Sequence, residues 1–289
     1  MTAQHKTQWL VITDLDGSML NHHNYAVDAA IPAIRLLQQK RVPIIFNTSK
    51  TFAESTALQQ TLQIEAPLIV ENGSAIYLPC SQFAESIFSE TKFTEAHQLS
   101  QQDGYWCIQL GKSQAEIRLI LDSLSLPEDS YQLLSECSVQ QVIQLTGLAE
   151  ADAQQAMHRD YSEPLLWIAD DTQRNTFEQL LQEHGLNSLQ GGRFMHVLGN
   201  CDKGRASQQL KHLYTSSNTT VKTIVLGDSP NDAAMLSMAD ISVMINSPSN
   251  KALQTLLVPH IRTRQEAPDG WAEAIEKALL KIPQDEAPL

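Results

Sequence analysis

Asp14-Leu15-Asp16-Gly17-Ser18 directly follows the apolar run Trp9-Leu10-Val11-Ile12, so two carboxylates leave the end of a buried strand on a turn loosened by glycine. A carboxylate placed there can attack phosphorus, and a second one nearby can carry the proton. Three further groups stand at comparable positions. Thr48 comes after Val42-Pro43-Ile44-Ile45-Phe46, Lys203 lies in Cys201-Asp202-Lys203-Gly204, and Asp228 comes after Thr223-Ile224-Val225-Leu226-Gly227, with Asp232 one helical turn later. Taken singly, these are turn residues, helix caps and a solvated lysine. Taken together they supply a nucleophile, a proton carrier, a hydroxyl donor, a cation and hard oxygen ligands, which are the parts of a phosphoryl-transfer site.

For these groups to converge, their strands must be parallel and share one carboxyl edge. The order of elements predicts that arrangement. Strands at 9–12, 42–46 and 67–70 alternate with helices at 27–39 and 51–62. A βαβαβ start of this kind builds a right-handed layered sheet. The rhythm changes between residues 81 and 200, where helical patterns near 113–124 and 149–159 sit among strand candidates at 106–110, 165–168 and 194–198. The α/β pattern then resumes with a helix at 203–214, strands at 223–226 and 241–245, and a helix beginning near Asp232. The expected class is α/β: a Rossmann-like parallel-sheet core formed by 1–80 and 201–289, with an α+β module inserted at 81–200.

With Asp14-Leu15-Asp16-Gly17-Ser18, Thr48, Lys203-Gly204 and Gly227-Asp228-Ser229-Pro230-Asn231-Asp232 in this order, the chain resembles the haloacid dehalogenase superfamily of phosphatases. The resemblance implies that the insert is the larger, C2-type cap. It implies Asp14 as nucleophile, Asp16 as acid and base, Thr48 as a donor to the phosphoryl group, and Lys203 as a bridge between Asp14 and the phosphoryl oxygens. It also implies Mg2+ held by Asp14, the main-chain carbonyl of Asp16 and Asp228, with Asp232 orienting that set.

A narrower resemblance, to the mannosyl-3-phosphoglycerate phosphatase family, rests on four segments. They are Thr48-Ser49-Lys50-Thr51, Glu71-Asn72-Gly73, Arg159-Asp160-Tyr161-Ser162-Glu163-Pro164 and Gly191-Gly192-Arg193-Phe194-Met195-His196. It implies a small phosphorylated sugar-glycerate substrate contacted by Ser49, Lys50, Arg159, Glu163, Arg193 and His196. Arg193 suits a carboxylate or phosphate fork. Strict strand alternation would put His196 on the face opposite Arg193. Arg159 and Glu163, read as one turn apart on a helix, could equally form a surface pair. Glucosyl-3-phosphoglycerate or another sugar phosphate would fit the same residues, and a mutase or a non-catalytic sensor are the more distant alternatives.

The formal net charge of −13 argues against broad nucleic-acid binding, so an anionic substrate must meet local cations. No apolar run is long enough for a membrane span, and Met1-Thr2-Ala3-Gln4-His5-Lys6-Thr7-Gln8 has no signal-peptide core. Cys80, Cys107, Cys137 and Cys201 form no metal or disulfide pattern, which points to a reducing, cytoplasmic setting. Oligomeric state is not encoded in any motif.

Overall fold

A computed structural model describes residues 6–90, 98–127, 129–191, 194–215, 218–284, 286 and 288. Its strands are β1 (Lys6–Thr13), β2 (Ile44–Asn47), β3 (Leu68–Val70), β4 (Ala75–Pro79), β5 (Gln98–Gln102), β6 (Tyr105–Gln109), β7 (Tyr131–Leu133), β8 (Ser162–Trp167), β9 (Leu186–Gly191), β10 (Phe194–Gly199), β11 (Thr219–Gly227), β12 (Ile241–Asn246) and β13 (Ile261–Glu266). Nine of them form one sheet in the order β13-β12-β11-β1-β2-β3-β4-β6-β5, and four form a second in the order β7-β8-β10-β9. The run from β13 to β3 is parallel throughout, whereas β4, β6 and β5 are added antiparallel.

β1 sits where the chain order reverses: β2 lies on one side and β11 on the other. Ligand crevices of open α/β sheets form at such a point. Thr13 pairs with Leu226 on one side and Phe46 on the other, so the residues just beyond these strand ends meet at one edge. The sheet is buried on both faces. Val11, Phe46, Leu226 and Trp271 belong to the core on one face, and Leu10, Ile12, Ile45 and Leu210 to the core on the other. Near-continuous apolar strands are what double coverage demands.

The helices that frame this edge start where their sequences specify. Thr51 caps the helix Phe52–Leu62 through a reciprocal box with Glu54. Asp202 caps Lys203–Tyr214 by accepting from Arg205 N at 2.8 Å, which fixes Lys203 as the first helical residue. No described helix is long and apolar enough to cross a membrane.

The four-stranded sheet packs its own core of Leu133, Leu165, Met195 and Val197 against the helices Gln114–Ser123 and Asp171–Glu183, through Ile117, Leu121, Phe177 and Leu181. Two features differ from the sequence reading. β5 and β6 hydrogen-bond into the large sheet, so the main sheet extends past residue 81 and the independent small sheet comprises only the later strands. The helix expected at 149–159 ends at Met157, and a strand begins at Ser162. Pro164, which cannot donate a ladder hydrogen bond, sits in that strand opposite His196.

Candidate active site

Four buried charges meet at the edge beyond β1 and β11. Lys203 Nζ donates to Asp14 Oδ1 at 2.6 Å and to Asp232 Oδ1 at 2.8 Å. The other oxygen of Asp232 accepts from the backbone N–H groups of Asp228 and Ser229 at 2.9 and 3.0 Å, so this side chain ties the lysine to the turn that follows β11. Ser18 Oγ donates to Asp228 Oδ1 at 3.1 Å. Burial, opposed by the Lys203 charge, holds the Asp14 carboxyl well above its usual range. Burial and the Asp232 charge push Asp228 up to about 7. Burial acts against the charged form of Lys203, but Asp14 and Asp232 outweigh it and hold the ammonium protonated.

Oxygens of Asp14, Asp228 and Asp232 lie within 4.8 Å of one another. Three carboxylates around one ammonium leave an excess of negative charge in a dry site, which a hard divalent cation would neutralise. Both oxygens of Asp232 are already engaged by Lys203 and the turn. The donor set therefore fits an ion shared by Asp14 and Asp228, with Asp232 holding the arrangement in place. Gly17 is required here. Its φ is +80°, and a Cβ on it would stand 2.7 Å from Asp228 Oδ2.

Thr48 is fully buried, two residues beyond the Phe46 partner of Thr13; its hydroxyl accepts from Lys50 N at 3.1 Å. Lys50, expected to meet substrate, reaches Asp16 Oδ1 at 3.1 Å and Glu54 Oε1 at 3.4 Å. Those two carboxylates overcome burial and raise its pKa. Lys50 Nζ also lies 4.8 Å from the ring centroid of Tyr25. The sequence reading missed Tyr25. It is 41% exposed, in the left-handed region at φ 57°, on a loop closed by Tyr25 N donating to Asn21 O and Ala26 N donating to Asn24 Oδ1. The asparagines at 21 and 24 were the available turn signal.

The small sheet meets the core through Arg159. Its Nη1 donates to Ser49 O and Ser162 Oγ, both at 3.1 Å, and stands 3.8 Å from Glu71 Oε2. Arg159 and Glu163 are not a helical surface pair. Arg159 precedes β8, and Glu163 lies within it, fully buried, accepting from Gln114 Nε2 at 3.0 Å and Ser135 N at 3.2 Å. Burial raises the Glu163 carboxyl. Pairing with Val197 puts Glu163 on the side of the small-sheet core, whereas His196 shares the opposite face with Pro164 and Ser162. Burial, then the Arg159 charge, push His196 down to about 3, so its ring is neutral. His196 Nδ1 and Arg159 Nε are buried and have no hydrogen-bond partner among the described residues, which leaves each able to meet a polar ligand group. Arg193 lies outside the described residues. A cavity of about 310 Å3 between the two sheets is lined by Lys203, Asn72 and Asn231 from the core and by Asn187 and Ser188 from the small sheet.

A mostly parallel sheet with buried charges clustered at its switch point, together with a second, four-stranded sheet, defines a class that comparison makes explicit. The chain belongs to the haloacid dehalogenase-like hydrolases, whose family model matches residues 11–275. Two relatives carry the same description, glucosyl-3-phosphoglycerate/mannosyl-3-phosphoglycerate phosphatase. The one from Methanococcoides burtonii is 33% identical over 269 residues, spanning 92% of this chain and 95% of the relative. The one from Persephonella marina is 32% identical over 277 residues, spanning 94% and 98%. Among solved structures, a Synechocystis sucrose-phosphatase shares the fold with a TM-score of 0.61 at 17% identity, over 93% of this chain and 97% of that one. A Streptococcus mutans protein does so with a TM-score of 0.65 at 14% identity, over 94% and 99%.

Proposed function

We propose that this chain is a Mg2+-dependent phosphomonoesterase that releases phosphate from mannosyl-3-phosphoglycerate or glucosyl-3-phosphoglycerate, leaving the glycosylglycerate. The observation that carries the chemistry is the buried Asp14–Lys203–Asp232 bridge beside Asp228 at the sheet's switch point. The substrate reading rests on the relatives, whose description names both sugars and which align over nearly their whole length. Mannosyl selectivity, the expectation from sequence, is therefore widened to either sugar. Glucose and mannose differ at one hydroxyl, and none of the described contacts fixes its orientation.

Asp14 would attack phosphorus in line and hold the phosphoryl group as an acyl phosphate. Lys203 would steady the carboxylate and the phosphoryl oxygens together, and the Thr48 hydroxyl would donate to one of those oxygens. Asp16 would protonate the departing glycerate oxygen, then take a proton from the water that cleaves the acyl phosphate. A divalent ion held by Asp14, the Asp16 carbonyl and Asp228 would neutralise charge on the transferring group. Arg159, Lys50 and Arg193 are the cations suited to the glycerate carboxylate, with neutral His196 and the Ser49 segment as polar contacts to the sugar-glycerate body. Glu163, whose carboxylate is satisfied inside the small sheet, is not carried into that group. We place the activity in the cytoplasm, a setting that suits the free thiols of Cys107, Cys137 and Cys201.

The test is phosphate release from mannosyl-3-phosphoglycerate, glucosyl-3-phosphoglycerate, 3-phosphoglycerate and common hexose phosphates under one set of conditions. The proposal expects the two glycosyl esters to be hydrolysed far faster than the rest. Preference for a hexose phosphate would reassign the substrate, and the absence of free phosphate from every ester would remove the phosphatase reading.

A further inference from the structure

The turn Glu71-Asn72-Gly73, which has no role in the chemistry above, touches the loops that carry it. Glu71 N donates to Lys50 O at 3.0 Å, and Asn72 N donates to Thr48 O at 2.9 Å, so the turn braces the loop after β2. Asn231 Nδ2 donates to Asn72 Oδ1 at 3.0 Å, which ties the turn to the Asp228–Asp232 segment. A Cβ on Gly73, whose φ is +91°, would stand 2.3 Å from Asp202 O, so the turn packs its backbone against the residue before Lys203. Three catalytic segments thus share one support.

The same turn sends its one charged side chain the other way. The Glu71 carboxylate is 1% exposed and accepts from Asp160 N at 2.9 Å, Tyr161 N at 3.3 Å and Ser162 Oγ at 2.5 Å, all at the entrance to β8. Arg159, its neighbour at 3.8 Å, holds Ser49 O. Glu71 and Asn72 both occupy the left-handed region, with φ of 48° and 59°, where a glutamate is rare. Strain of that kind persists only where the surroundings enforce it. Here the enforcing contacts are the hydrogen bonds to the small sheet on one side and to the catalytic loops on the other.

We infer that Glu71 is a positioning residue: its carboxylate docks the 159–162 segment of the small sheet onto the turn that braces the catalytic loops, so that sugar-glycerate contacts form only when the phosphoryl site is in place. This rests on the phosphatase reading and not on the identity of the sugar. It separates two halves of one turn. The Glu71 side chain serves substrates large enough to need the small sheet, and Asn72 serves every phosphate ester.

Glu71→Gln keeps the shape but turns one of the two acceptor oxygens into an amide donor, set against either Asp160 N or the Tyr161 N and Ser162 Oγ pair, and removes the charge from the other. Loss of a hydrogen bond to a charged acceptor should accelerate exchange of the Asp160 or Tyr161 amide, whichever faces the new NH2 group, by about 10- to 100-fold. It should lower kcat/KM for the glycosyl-3-phosphoglycerates by about tenfold or more while p-nitrophenyl phosphate changes by less than about twofold. Ser162→Ala, which keeps every charge, should move both readouts in the same direction by less, and it decides the matter if Glu71→Gln does not fold. Asn72→Ala should lower both esters together. Equal losses on both esters in Glu71→Gln and Ser162→Ala, or unchanged exchange at 160–161, would overturn the inference. If neither glycosyl ester is turned over by the parent protein, the substrate reading falls, and the exchange measurement still decides whether Glu71 docks the small sheet.

Discussion

Lys203 Nζ stands 2.6 Å from Asp14 Oδ1 with both groups buried, although 189 positions separate them in the chain. The ammonium thus restrains the carboxylate of Asp14, the proposed nucleophile, and offsets its charge. Lys203→Met should therefore cost more than contact with substrate. Breaking a buried pair by removing one partner destabilises by about 3–5 kcal/mol. Turnover should fall by at least about 100-fold. Lys203→Arg should not restore it, because the planar guanidinium cannot occupy the same point between Asp14 and Asp232. Denaturant unfolding and steady-state kinetics of the two variants read both effects.

In the proposed mechanism Asp16 acts through the proton, so its importance should follow the leaving group. Asp16→Ala should slow hydrolysis of a glycosyl-3-phosphoglycerate, a poor alkoxide leaving group, by about 100-fold or more. With p-nitrophenyl phosphate, whose phenolate departs without help, the loss should be about tenfold or less. A ratio of kcat values that does not depend on the ester would remove Asp16 from the acid role.

Gly17 tests the proposed ion site without touching a charge. In Gly17→Ala the methyl group would meet Asp228 Oδ2, and φ of +80° is strained for alanine. The substitution should cost about 1–3 kcal/mol of stability. It should also raise the divalent concentration needed for half-maximal activity. Unchanged metal dependence would mean that Asp228 is not a ligand.

Asp228 also gives the metal-free protein a pH signature. Its carboxyl is raised from 3.8 to about 7, so between those values the folded state holds a proton that the unfolded state has released. The Asp228 contribution to stability therefore falls as pH rises through that window and levels off above about 7, while His196, held neutral down to about 3, contributes a slope of the opposite sign between about 3 and 6.5. Asp228→Asn should flatten the Asp228 slope in chelator-treated protein, as read by denaturant midpoints at several pH values. Adding magnesium should recover stability of the parent protein at the alkaline end by mass action. A stability difference between parent and Asp228→Asn that does not change with pH across the window would contradict the buried, poorly compensated carboxylate.

What the sequence revealed depended on whether partners were close along the chain. The convergence of Asp14, Lys203 and Asp228 was legible because each follows an apolar strand or opens a helix, and parallel strand ends meet by topology. Ser162 to Trp167 was harder. Pro164 interrupts the strand pattern, so the preceding helix was carried too far and Glu163 was placed on it. β5 is polar and mostly exposed at the sheet's edge, without the apolar alternation that marks a strand. Glu71 and Tyr25 were not assigned roles because their partners, Ser162 and Lys50, come from distant or separately folded segments, and no local pattern encodes such contacts.

In the proposed reaction Asp14 takes the phosphoryl group from a glycosyl-3-phosphoglycerate and passes it to water. Parent protein and Asp14→Asn, both checked for folding, are mixed with the mannosyl or glucosyl ester and magnesium, quenched in acid, and examined for free phosphate and for phosphoryl label on the peptide that carries Asp14. Phosphate release with transient label at Asp14 is expected in the parent, and neither in the variant. Continued metal-dependent release by Asp14→Asn, or label on a different residue, would contradict it.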